Sequence, residues 1–136
     1  MKRTLIQMAL NARESAYAPY SHYQVGAALF TDDGEIVTGC NVENATYGAT
    51  CCAERTAVFK AVSEGKKHFQ SIAIVGGMEG REPEDYAYPC GICRQVLSEF
   101  AAQDDLPVIV AKSCDDYKEY SLSELLPCSF GGDSIK

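Results

Sequence analysis

Two short stretches constrain the fold of this chain more than anything else in it: Cys52-Ala53-Glu54, and Pro89-Cys90-Gly91-Ile92-Cys93. Both read as helix starts. Cys90 and Cys93 stand at the i, i+3 spacing that lets two side chains reach one ion from a first helical turn, and Pro89 is a start signal. If Cys52 serves the same ion, the fold must bring both helix starts together. Zinc prefers four ligands in a tetrahedron, so three thiolates leave a position for an activated water, whereas a structural site is closed by a fourth side chain. Glu54 is then a candidate proton carrier. Three thiolates around Zn²⁺ carry a net negative charge, which helix N-terminal amides and a nearby cation, Arg55 or Arg94, can offset.

Plainer readings compete with this one. The chain has 7 cysteines, an odd number, and in an intracellular chain a C-x-x-C pair favours metal or redox chemistry over a disulfide framework. A lone C-x-x-C also fits a redox pair or half a structural zinc knuckle. A redox pair needs neither a third cysteine nor Glu54, and a structural site would recruit Cys40, Cys51, Cys114 or Cys128 as fourth ligand. The joint motif favours the open, hydrolytic site. On spacing alone Cys51 rivals Cys52 as first ligand.

The rest of the chain predicts alternating elements. Leu5, Ile6, Ala9, Leu10, Arg13, Ala16 and Tyr17 keep the rhythm of an amphipathic helix ending before Pro19. Residues 23–31 and 36–42 read as a hairpin turned by Asp32, Asp33 and Gly34. A buried helix runs from Cys52 to about Glu64, a strand covers 71–76, and a long polar loop spans Gly77 to Tyr88. A helix from Cys90 with Val96, Leu97 and Phe100 facing the core, a strand at 107–111, and a last short helix capped by Ser121 and Glu124 complete the pattern. The expected fold is a three-layer α/β/α sandwich, with a central mixed sheet of about five strands, in one domain over residues 1–136.

Charge and hydropathy exclude several functions. Twelve Lys and Arg against 19 Asp and Glu give a net charge of −7, which disfavours a nucleic-acid polymer as partner, because such binding rests on neutralising phosphates. No apolar run approaches the roughly 20 residues of a membrane helix. The N-terminal MKRTLIQMALNARESAY has no continuous apolar core of a signal peptide, so a cytoplasmic location is expected.

The stretches CAERTA at 52–57 and PCGICRQ at 89–95 resemble the zinc-dependent cytidine deaminases, in their small homotetrameric class with three cysteine ligands. AYAPYSHYQVGAAL at 16–29, GCNVENATYG at 39–48 and ELLPCSF at 124–130 are also similar to that family, so the likeness covers nearly the whole chain. It implies Cys52, Cys90 and Cys93 as ligands of one Zn²⁺ per chain, Glu54 as proton shuttle and Arg55 as the cation on the ligand sulfurs. The implied reaction converts cytidine or 2'-deoxycytidine to the uracil nucleoside and ammonia, in pyrimidine salvage. Asn41 and Glu43, two apart after a strand, would grip the ribose, although loop polarity alone also explains them. Tyr23, where the family commonly has Phe, would pack on the base, with Ala53 among the substrate contacts. Phe130 resembles a ring reaching a neighbouring subunit's pocket in a homotetramer, and a plain core anchor is an equal reading. His22 and His68 are expected at the surface. Blasticidin S deaminase carries related motifs, so a cytosine-nucleoside antibiotic is the alternative substrate, and a closed, non-catalytic zinc module the alternative class.

Overall fold

The computed structural model describes residues 1–101 and 105–135. Helix α1 (Lys2–Arg13) is followed by strands β1 (Tyr23–Thr31) and β2 (Ile36–Cys40), helix α2 (Ala53–Ser63), strand β3 (Phe69–Met78) and helix α3 (Gly91–Phe100). Strands β4 (Pro107–Ser113) and β5 (Asp116–Ser121) and the short helix α4 (Leu122–Leu125) complete the order. The five strands form one mixed sheet in the order β2-β1-β3-β4-β5, in keeping with the expected mixed sheet of about five strands.

Strand alternation divides the sheet between two cores. Ile72, Ile74, Val108 and Val110 turn to one face, where they meet Ala57, Val58 and Ala61 of α2 and Leu97 of α3. Their neighbours Ala73, Val75, Ile109 and Ala111 turn to the other and meet Leu5, Ile6 and Ala9 of α1. Side chains two apart on a strand share a face, so each strand feeds both layers.

Connectivity then decides where the helices begin. Strands β2 and β3 each run antiparallel to β1, so they are parallel to one another, and β3 pairs parallel with β4. Parallel neighbours need a crossover. Helix α2 makes the crossover from β2 to β3 and α3 the one from β3 to β4, both on the same face. Both helices therefore start at the same end of the sheet, the end where open α/β sheets bind ligands. At Gly39 of β2 an added Cβ would lie 2.5 Å from the Ala57 nitrogen and 2.6 Å from the Ala53 oxygen. Only glycine lets α2, and Cys52 ahead of it, approach so closely.

Several elements differ from the sequence-based expectation, among them β4, which runs past 111 to Ser113. Helix α1 stops at Arg13, short of Pro19, because the Tyr17 backbone pairs instead with Asn41 and Glu43. Strand β2 ends at Cys40, since Val42 pairs with both Tyr17 and Cys51. Strand β3 runs past 71–76 to Met78 under the pairing of β1. Strand β5, DYKEYS, was not placed: it is mostly exposed and edge-lying, and its register comes from β4.

Candidate metal centre and substrate pocket

Cys52 caps α2 and Cys90 caps α3. The sulfurs of Cys52, Cys90 and Cys93 all lie within 4.8 Å of one another, with 3.8 Å between Cys52 and Cys90. The Cys93 backbone N–H donates to the Cys90 sulfur at 3.5 Å, so the amide end of α3 faces the cluster as expected of a helix N-terminus. Cys51 points elsewhere: its backbone pairs with Val42 and its sulfur takes a contact from the Thr56 hydroxyl at 3.7 Å. Three converging soft donors, with no fourth His, Cys, Asp or Glu grouped with them among the described residues, fit a zinc ion with an open position.

The electrostatics of the cluster match that fit. Hydrogen bonding from the Cys93 thiol, then from Arg55 and Cys90, overcomes burial and holds the Cys52 thiol down at about 5. The proton that Cys93 shares with Cys52, together with burial and the nearby Glu54, pushes Cys93 upward. A dication that accepts several thiolates relieves this crowding. Arg55 Nη2 lies 3.4 Å from the Cys52 sulfur, and that contact raises the guanidinium above its ordinary value against the opposing effect of burial. Its Nε is a buried donor with no partner. Arg94, the other candidate cation, does not reach the sulfurs: its Nε donates to the Pro89 carbonyl and its Nη1 to the Leu125 carbonyl, both at 2.7 Å. It braces the chain entering Cys90 instead.

Glu54 sits in the first turn of α2 and is only 4% exposed. Burial, which disfavours the carboxylate, pushes its pKa up to about 7, with the Cys52 sulfur adding to the rise. Such a carboxyl can both take and give a proton near neutrality.

A cavity of about 390 Å³ opens over this centre, within the range of small-molecule sites. Cys52, Ala53, Glu54 and Cys90 form its polar end, and Tyr23, Val25 and Ile74 supply an apolar side from the sheet. Asn41 also lines it, with its amide already engaged: Oδ1 accepts the Val25 N–H at 2.9 Å and Nδ2 donates to the Tyr23 carbonyl at 2.8 Å. Glu43 is not among the lining residues; its carboxylate accepts the Tyr20 and Ser21 N–H groups at 3.0 and 3.2 Å and the Ser21 hydroxyl. Phe130 is 60% exposed, so it is no core anchor, and its carbonyl accepts from Gln95 Nε2 at 2.8 Å. His22 and His68 are exposed, although His22 Nδ1 approaches Glu79 at 3.3 Å.

Sequence reasoning missed one wall of the pocket. Tyr86, Ala87 and Tyr88 line the cavity, yet they lie in the stretch read simply as a polar loop. Their position just ahead of Pro89-Cys90 was the available signal.

The chain matches the family model described as the cytidine and deoxycytidylate deaminase zinc-binding region over residues 1–109. It is 46% identical to the cytidine deaminase of Halalkalibacterium halodurans, covering 98% of this chain and 97% of that protein. A crystal structure of cytidine deaminase from Burkholderia pseudomallei superposes with a TM-score of 0.83 at 46% identity, covering 93% of this chain and 97% of that one. The blasticidin-S deaminase of Bacillus cereus is 31% identical, over 93% of this chain and 89% of that protein.

Proposed function

The chain belongs to the cytidine and deoxycytidylate deaminase family, and from that premise we propose that it is a hydrolase converting cytidine and 2'-deoxycytidine to the uracil nucleosides with release of ammonia. The observation that carries this reading is the meeting of Cys52, Cys90 and Cys93 beside a buried Glu54 at one end of a nucleoside-sized cavity. Cys52, Cys90 and Cys93 would hold one zinc, which when bound supplies a water acidic enough to ionise near neutral pH. Glu54 would take the water's proton and give it to N3 of the cytosine ring as the water oxygen bonds to C4, then carry the proton of the new C4 hydroxyl to the amine, which leaves as ammonia as the C4 carbonyl forms. Burial suits it to all three tasks, because a carboxyl poised near pH 7 exchanges protons in both directions.

The remaining residues bind and orient. Tyr23 offers its ring to the base, and Ala53 packs at the polar end of the cavity. Asn41 contacts the sugar with an amide held rigid by the β1 backbone. Glu43 reaches the sugar by giving up its bonds to Ser21 and Tyr20, so its contribution is the smaller of the two. Arg55 steadies the Cys52 thiolate. Phe130, exposed in one chain as are Tyr47 and Ile92, completes a neighbouring pocket in a homotetramer. We assign residues 1–136 to one catalytic domain working on free nucleosides in the cytoplasm, in pyrimidine salvage. No helix among the described residues is long and apolar enough to cross a membrane.

Ammonia release from cytidine, 2'-deoxycytidine, free cytosine and blasticidin S tests this reading. Turnover of the two nucleosides is expected, stopped by chelation and restored by zinc. Glu54→Gln should keep its metal and lose roughly 10²- to 10⁴-fold in kcat. Full activity in that variant would remove Glu54 from the mechanism, and preferential turnover of blasticidin S would replace the substrate.

A further inference from the structure

Arg13, at the last turn of α1, is 4% exposed. Among the described residues it forms no ion pair. Its guanidinium is instead spread over three backbone carbonyls: Nε donates to Gln24 at 3.4 Å, and Nη2 to Met78 at 3.0 Å and to Arg81 at 3.1 Å. An apolar side chain would fill the same space without the cost of desolvating a charge, so what the guanidinium gains here is the fixing of those carbonyls.

The carbonyls belong to a junction that matters for the pocket. Gln24 lies at the start of β1, Met78 ends β3, and Arg81 is in the segment that runs on to Tyr86, Ala87 and Tyr88 of the cavity wall. The far end of that segment has its own anchor. Lys112 Nζ and Lys118 Nζ lie 4.7 and 4.8 Å from the centre of the Tyr86 ring, and the Tyr86 hydroxyl donates to Asp116. Between the two anchors the segment lies directly on glycines of β3: an added Cβ at Gly77 would be 3.0 Å from Pro83 Cα and 3.2 Å from Arg13 Nη2.

We propose that Arg13 is a positioning residue for the nucleoside pocket: by holding the Met78 and Arg81 carbonyls it sets the height of the 79–88 segment, and with it the wall formed by Tyr86, Ala87 and Tyr88. It touches neither the metal ligands nor the cavity itself. Its effect is therefore on substrate binding, and the proton transfers at Glu54 proceed as before once the nucleoside is seated. This inference rests on the deaminase reading for its kinetic readout only.

The experiment compares wild type, Arg13→Lys, Arg13→Met and Gly77→Ala as zinc-loaded proteins. Lysine keeps the charge but lacks the planar fork that serves several carbonyls at once, and the alanine methyl intrudes on the same contact while leaving Arg13 in place. Expected in both Arg13 variants is a KM for cytidine raised roughly tenfold, with kcat within about twofold and zinc content unchanged. Hydrogen exchange should quicken at amides 79–88 and not in α1, and Gly77→Ala should show the same pattern more weakly. A folded Arg13→Lys with wild-type KM and unaltered exchange at 79–88 overturns the proposal. So does faster exchange spread through α1, or a loss of kcat with zinc. If Arg13→Met does not fold, Arg13→Lys and Gly77→Ala decide. If the wild type itself does not act on cytidine, the deaminase reading fails, and hydrogen exchange still decides the role of Arg13.

Discussion

The two faces of the sheet are built from the same strands by the same alternation, yet only one carries chemistry. On the α1 face, Leu5, Ile6 and Ala9 close over Ala28, Ala73, Val75 and Ile109 in an apolar layer. On the α2 and α3 face, equally apolar residues pack below, but two helix N-termini come together at one end of the sheet. Helix N-terminal amides, sulfurs and a buried carboxyl concentrate there because crossovers between parallel strands must begin at that edge. Reactivity follows from connectivity, while the packing that supports it is shared by both faces.

The strongest way to break this contrast is to remove a thiol from the reactive face. Cys52→Ala should lose its zinc and all measurable turnover, whereas Cys51→Ala, whose sulfur lies outside the cluster, should retain both; metal analysis of the two purified variants checks it. Retention of metal by Cys52→Ala with its loss from Cys51→Ala would reverse the ligand assignment.

A core substitution on the opposite face sharpens the contrast from the other side. Ile6, fully buried against the sheet, should cost roughly 2–5 kcal/mol on truncation to alanine, measured by denaturant unfolding. KM and kcat of the folded fraction should stay near wild type, since no cavity-lining residue belongs to this apolar cluster. A large change in KM would show that the two faces are coupled through the sheet.

The smallest expected effect comes from Glu54 in the metal-free protein. Its pKa is raised from 4.5 to about 7 by burial, so the folded state binds a proton that the unfolded chain has lost between those values. The associated stability is fully present below about pH 4.5 and is lost as pH rises through 7, up to about 3 kcal/mol in all. Unfolding of chelator-treated wild type and Glu54→Gln across pH 5 to 8 reads the difference, which should shrink if Glu54 is less buried than described.

Much of the site was legible because its parts are local. Cys52 and Cys90 were readable as helix starts, Cys93 by its i, i+3 spacing, and Glu54 by its neighbourhood to Cys52. The choice between Arg55 and Arg94, which the resemblance made for Arg55, was not legible from spacing, because both follow a thiol closely in the chain and the Pro89 and Leu125 carbonyls are what draw Arg94 away. Asn41 and Glu43 looked equivalent at a strand end. The strand in fact stops at Cys40, and the pairing of Tyr17 with the segment beyond separates their directions.

By itself the sequence determined most of the periodic elements, the apolar faces they bury, and a thiol-rich donor set with Cys51 and Cys52 as rivals for one place, since these depend on residue type and on spacing within a few positions. The tertiary structure alone decided that β5 pairs at all, that Arg13 turns inward onto the 79–88 segment, and that Tyr86 to Tyr88 become a pocket wall. Those outcomes depend on contacts between residues far apart in the chain, for which no local preference exists.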